Sequence, residues 1–253
     1  MYAVEMQDLT KQYGSKTVVD GLNLKIEEGE FFAMLGSNGA GKTTTIKMLS
    51  CLVEPTAGDA LMLGYSIRKE ENAVKEMINV SPQETAVAPK LTVRENLEMI
   101  ARLYGFSMEE AVQKTEHLME TFDLTDRQHD WAKSLSGGWQ RKLSIAMALI
   151  SQPKILFLDE PTLGLDVRAR RELWKKIEQL KGKVTVILTT HYLEEAEALA
   201  DRLCIMDKGM VQILGTAEEI IQDSGKKDFE EAFLSSPAGG ACACAPSFLP
   251  RAI

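Results

Sequence analysis

Several short runs of glycine, hydroxyl, basic and acidic residues in this chain have the types and spacing to hold charged groups. The clearest is the run Gly36, Ser37, Asn38, Gly39, Ala40, Gly41, Lys42, Thr43 and Thr44. In it Gly36, Gly41, Lys42 and Thr43 satisfy the spacing G-x-x-x-x-G-K-[ST]. Glycines can take backbone angles that a β-carbon forbids, so successive N–H groups can turn inward around one anion. A helix starting near Lys42 would add the positive end of its dipole. Lys42 is then expected at the β- and γ-phosphates and the Thr43 hydroxyl at Mg2+.

A second group closes the apolar run KILFLDEP with two adjacent acids, Asp159 and Glu160. ILFL reads as a strand buried on both faces, which belongs in a parallel sheet. Ligands of such sheets bind at the carboxyl ends of the strands. Two acids there are costly to desolvate without a cation or a proton. Asp159 therefore fits a metal site opposite Thr43, and Glu160 a general base for water. His191 ends another β-branched strand, KVTVILTTH, and can reach a γ-phosphate; the structural alternative is a histidine at the edge of the core. Gln83 ends INVSPQ and aims an amide at the same place, unless it only caps loop backbone. Ser136, Gly137 and Gly138, in LSGGWQRKLSIAMALI, form a second helix start suited to an anion. Tyr13, in the polar turn KQYGSK, is either a surface residue or a ring for stacking on a base.

The elements that must position these residues follow from periodicity. EFFAML, residues 30–35, reads as a buried strand and TIKMLSCL, residues 45–52, as a helix. Period-two alternation over residues 2–6 and 17–26 predicts half-buried antiparallel strands. DALML and residues 78–83 read as further strands, and residues 70–77 as a short helix. From residue 84 to about 150 the character is helical: Thr92 with Glu95 and Ser107 with Glu110 have capping-box spacing. Met99, Met108 and Met119 read as core filler there. His117 and His129 read as surface residues. VRARRELWKKIEQL reads as an amphipathic helix with its basic residues outward. DRLCIMDKGMVQILG reads as a hairpin turning at Lys208-Gly209, with short helices over 216–223 and 228–234. The fold class is α/β: a mostly parallel core sheet, an N-terminal antiparallel β subdomain and an inserted helical subdomain. The expected domain spans residues 1–234, followed by a flexible tail, 235–253, whose Cys242 and Cys244 carry no metal.

Bulk properties narrow the function. The chain has 253 residues, 45% hydrophobic and 26% charged, ordinary for a globular protein. A net charge of −8 argues against a nucleic-acid partner. The spacing of the four cysteines gives neither a disulfide framework nor a paired metal motif. No apolar run approaches the roughly 18 residues of a membrane span. The start, MYAVEMQDL, has no signal-peptide pattern. A cytosolic protein, free or docked on a partner, is expected.

Taken together, these motifs resemble the nucleotide-binding subunits of ATP-binding cassette (ABC) transporters. The resemblance covers residue 1 to about 234. It includes the phosphate loop, Gln83, the signature LSGG at residues 135–138, the strand ending at Asp159 with Glu160 after it, the loop LGLD at residues 163–166, and His191. The surrounding wording, such as LDEPTLGLDVRARRELW and TTHYLEEAEALADRLCIMDKG, is most similar to ATPases of ABC-2 type multidrug and antibiotic exporters. Trp139 departs from the family, which usually has Gln or Met there. The resemblance implies ATP and Mg2+ as cofactors, Gln83 beside Thr43 and Asp159 at the metal, and Tyr13 stacked on adenine. It also implies a head-to-tail homodimer in which Ser136, Gly137 and Gly138 of one copy close over the ATP of the other. Integral membrane permease subunits would be separate chains, with this chain peripheral on the cytoplasmic side. Importer ATPases and soluble, non-transport ABC proteins acting on ribosomes or DNA share the chemistry and stay open as alternatives.

Overall fold

The computed structural model describes residues 1–236. The elements in chain order are Tyr2–Tyr13 (β1), Lys16–Glu27 (β2), Phe31–Gly36 (β3), Lys42–Leu49 (α1), Ala57–Met62 (β4), Tyr65–Ser66 (β5), Glu71–Met77 (α2) and Ile78–Ser81 (β6). Then come Val93–Leu103 (α3), Met108–Thr121 (α4), Gly137–Leu149 (α5), Ile155–Asp159 (β7), Val167–Glu178 (α6) and Thr185–Thr190 (β8). Leu193–Leu199 (α7), Arg202–Asp207 (β9), Met210–Gly215 (β10), Ala217–Ser224 (α8) and Phe229–Ser235 (α9) follow among the described residues.

Two sheets result. One has the order β2-β1-β4-β5 and is antiparallel; the other has the order β10-β9-β3-β8-β7-β6. In the second sheet β9, β3, β8, β7 and β6 all run parallel, and only β10 opposes its neighbour. β3, β7 and β8 are buried at every residue, as continuous apolar runs of a central parallel sheet must be. Their alternation still matters, because it divides the core. Phe31, Ala33, Leu35, Leu156 and Leu158 face the helices α3 to α7, whereas Phe32, Met34, Ile155 and Phe157 face α1 and the antiparallel sheet.

The helical stretch between β6 and β7 is set by local signals. Thr92 and Glu95 make a complete capping box on α3, and Ser107 and Glu110 make one on α4. Each box bonds two N–H groups that the helix itself leaves unpaired. The described structure corrects several details of the sequence reading. β1 and β2 each run for 12 residues, so Tyr13 is the last residue of β1, paired with Lys16, rather than part of a turn. β6 stops at Ser81, which leaves Gln83 in the loop after it. Met108 is 62% exposed, because as the first residue of α4 it precedes the helix's packed face; Met119 is buried as expected. Arg170 of α6 is turned inward, its guanidinium 4.2 Å from the Tyr192 ring, so the basic residues of that helix do not all face out. Ser235 closes α9 instead of opening a tail, and Cys242, Cys244 and the rest of the expected tail lie outside the described residues.

Candidate functional site

The carboxyl ends of β3, β7 and β8 lie side by side in the parallel sheet, and most of the sequence-predicted residues collect there. Gly36 closes β3 against β9, where a β-carbon would sit 2.4 Å from the Met206 carbonyl oxygen. Gly41 caps α1 at φ 105° under the Val18 carbonyl of β2, a pairing of angle and space open only to glycine. The loop between them turns α1 so that its N-terminus faces a cleft lined by Asn38–Thr44 together with Gln83, Glu160, Val18 and Leu163. Successive N–H groups at a helix start, without side chains to cover them, suit a phosphate.

Lys42 is 5% exposed, and its Nζ donates to the Gly36 carbonyl at 2.7 Å and the Ser37 carbonyl at 3.2 Å. It also lies 3.3 Å from Glu160 Oε1. Thr43 Oγ1 donates to Asp159 Oδ1 at 3.1 Å, so the hydroxyl and carboxylate proposed for a metal converge. Thr189, which the register of β7 and β8 sets beside Asp159, donates its hydroxyl to the same oxygen at 2.5 Å. Thr189 was not singled out from the sequence; its only signal was a hydroxyl at the end of an apolar strand.

Glu160 follows β7 with φ 48°, a left-handed angle that costs a non-glycine residue about 1–3 kcal/mol. The Glu160 N–H donates to the Thr189 carbonyl at 3.1 Å and to Thr189 Oγ1 at 3.0 Å, which fixes the turn. Its Oε2 meets His191 Nδ1 at 2.6 Å. Burial pushes the Glu160 carboxyl up, but the His191 hydrogen bond and the Lys42 charge outweigh it and hold the group below the ordinary glutamate value. An ionised carboxylate only accepts, so His191 carries its hydrogen on Nδ1. A second buried acid, Glu195 of α7, lies behind this site. Its Oε1 accepts from the Trp174 indole at 2.9 Å, and burial raises its pKa.

Both implied groups can be tested against these residues. Among the described residues no three His, Cys, Asp or Glu side chains gather to hold a metal by themselves. The Thr43 and Asp159 oxygens instead fit a hard cation that also takes phosphate and water oxygens, as Mg2+ does. The glycine-lined helix start and Lys42 fit the phosphates.

Two predicted groups stand apart from this cleft. Ser136 caps α5 by position but makes no side-chain cap bond; it and Gly137 are exposed and do not line the cleft. Tyr13 is half exposed beside Lys11 and does not line it either. Gln83 does line it, with its side chain exposed. Trp139 is partly buried on α5 between Arg127 and Lys142, whose cationic groups lie 4.9 and 4.4 Å from its ring.

The parallel sheet, the phosphate loop and the acids at the strand ends define a nucleotide-binding α/β domain. The ABC transporter family matches residues 19–163, and the chain belongs to that family, among its ATP-binding subunits. It is 42% identical over 224 residues to the daunorubicin resistance ATP-binding protein DrrA3 of Streptomyces coeruleorubidus, covering 88% of this chain and 71% of that protein. It is 38% identical over 237 residues to the Nod factor export ATP-binding protein I of Burkholderia orbicola, covering 93% of this chain and 78% of that one. Among solved structures, the dimeric ATP-binding cassette MJ0796, bound to ADP and Pi, superposes with a TM-score of 0.76 at 25% identity, covering 84% of this chain and 98% of that one.

Proposed function

We propose that this chain hydrolyses ATP to energise export of a small molecule, such as a drug or antibiotic, through separate integral membrane permease subunits. The observation that carries the chemistry is the buried Glu160, set between Lys42 Nζ and His191 Nδ1 beside the Thr43–Asp159 pair. Glu160, kept ionised there, is the general base for the attacking water. His191 orients Glu160 through Nδ1 and holds the water and γ-phosphate in line. Lys42, whose Nζ donates to the Gly36 and Ser37 carbonyls, is the cation for the β- and γ-phosphates. Mg2+, held by Thr43 and Asp159 with Gln83 nearby, would offset charge on the phosphates. Tyr13 would stack on adenine.

Ser136 and Gly137, exposed, and Gly138, partly exposed, lie outside their own chain's cleft and serve the ATP of a second copy in a head-to-tail homodimer. The names of the resistance and Nod factor export relatives support the direction of transport. No helix among the described residues is long and apolar enough to cross a membrane, which accords with a peripheral subunit on the cytoplasmic side. The decisive variant is Glu160→Gln. It should keep ATP binding, lose turnover by about 10²–10⁴-fold and accumulate an ATP-dependent dimer on size-exclusion chromatography. Turnover at the parental rate would remove Glu160 from the chemistry.

A further inference from the structure

Arg141 is a buried cation that the nucleotide chemistry above leaves unused. It lies in the second turn of α5, just past Ser136–Gly138, and is only 5% exposed. Its guanidinium donates Nη1–H to the Pro82 carbonyl at 2.6 Å and Nη2–H to the Gln83 carbonyl at 2.5 Å. Burial lowers its pKa, and the neighbouring Asp159 and Glu195 only partly oppose that shift. One turn further along the same face, Ser144 Oγ meets Ser81 Oγ at 3.1 Å in a buried contact. At the far end of the loop, the Ala88 N–H donates to Asn96 Oδ1 at 2.7 Å. The loop after β6 is therefore held to α5 at Pro82 and Gln83, and to α3 at Ala88.

Burying a guanidinium is costly, and an apolar side chain of the same volume would pack α5 as well. What the guanidinium adds is geometry. Its rigid planar fork reads two successive carbonyls at once, which a lysine cannot do. The helix that carries it begins with the residues offered to a second copy, and the loop it holds carries Gln83 into this chain's own cleft.

Resting on the dimeric reading above, we propose that Arg141 is a positioning residue joining two nucleotide sites. It fixes Gln83 to the signature helix, so that engagement of Ser136–Gly138 by one ATP sets the place of Gln83 at the other. The coupling runs through one side chain and two carbonyls.

The test uses the full-length chain with Arg141→Lys, which keeps charge and most of the volume but loses the fork. A melting curve like that of the parent establishes folding. Hydrogen exchange over residues 82–88 should speed up in this variant relative to the parent. Turnover at saturating ATP should fall by about tenfold or more while KM for ATP stays within about twofold, because Arg141 orients a cleft residue without touching nucleotide. In a Gln83→Ala background the same change should cost nothing further. Unchanged exchange over 82–88 overturns the clamp. Losses that multiply in the double variant overturn transmission through Gln83. If Gln83→Ala alone turns over like the parent, the role proposed for Gln83 fails and transmission fails with it, while the exchange data still judge the clamp separately.

Discussion

Residues 36–44 and residues 135–139 each place glycines and a hydroxyl at the start of a helix, yet the fold treats them in opposite ways. The start of α1 is enclosed. β2 and β9 press on its glycines, Lys42 is satisfied by the Gly36 and Ser37 carbonyls and by Glu160, and Thr43 already touches Asp159. The start of α5 is open. Ser136 and Gly137 are exposed, the Ser136 hydroxyl caps nothing, and the nearest atom to a β-carbon at Gly137 would be Leu165 Cδ2 at 3.8 Å. The first has the lining a phosphate needs within one chain; the second, on the function proposed above, would be completed only by a second copy. That difference supports a mechanism needing two copies.

The largest expected effect separates the two starts by binding. Lys42→Ala removes the buried cation and should reduce ATP affinity by about a hundredfold or more, given that a buried, hydrogen-bonded charge is worth several kcal/mol. Tight ATP binding by calorimetry in that variant would break the comparison. Ser136→Glu introduces a like charge at the open start. It should leave the affinity of the single chain within about twofold, since rim charges outside a site contribute little, and should abolish the ATP-dependent dimer formed in the Glu160→Gln background. Loss of affinity in the monomer would mean that Ser136 serves its own chain's cleft.

The same contrast extends to stability. Gly36→Ala forces a methyl group to 2.4 Å from the Met206 carbonyl oxygen and should cost about 1–3 kcal/mol. Gly137→Ala, at the first turn of a helix with open space around it, should be neutral or stabilising by up to about 1 kcal/mol. Equal melting shifts for the two would refute the enclosed-versus-open distinction. The smallest expected effect is on pH dependence. Glu160 is held below the ordinary glutamate value of 4.5, so it stays ionised, and competent as a base, down through that value as pH falls. Its stabilising contribution is present above 4.5 and is lost only as pH falls through the depressed folded-state value. An acid limb of turnover above 4.5 that disappears with Glu160→Gln would contradict this.

Much of this architecture was readable because it is local. Thr92 with Glu95 and Ser107 with Glu110 are three residues apart, so their capping boxes needed no tertiary partner. A third box, Thr216 with Glu219, has the same spacing and went unremarked beside the stronger hairpin signal before it. Arg141 was opaque. In LSGGWQRKLSIAMALI it is one of three consecutive polar residues near a helix start, with no local partner, and only the loop folded against α5 gives it the Pro82 and Gln83 carbonyls. Glu195 was opaque for the same reason: its indole partner comes from α6 and its burial from the packing of α7.

By itself, the sequence determined the phosphate loop, the acids after β7, the order of the motifs and the family they resemble, because each depends on residue type and short spacing. Only the tertiary structure decided which of these meet. It brought Lys42, Glu160 and His191 into contact across three strand ends, added Thr189 to Asp159 through the β7–β8 register, and turned Ser136 and Tyr13 away from the cleft. The reason is distance along the chain. Glu160 and His191 are drawn together by parallel strands whose pairing is set by the buried core, and no local pattern records which strand will lie beside which.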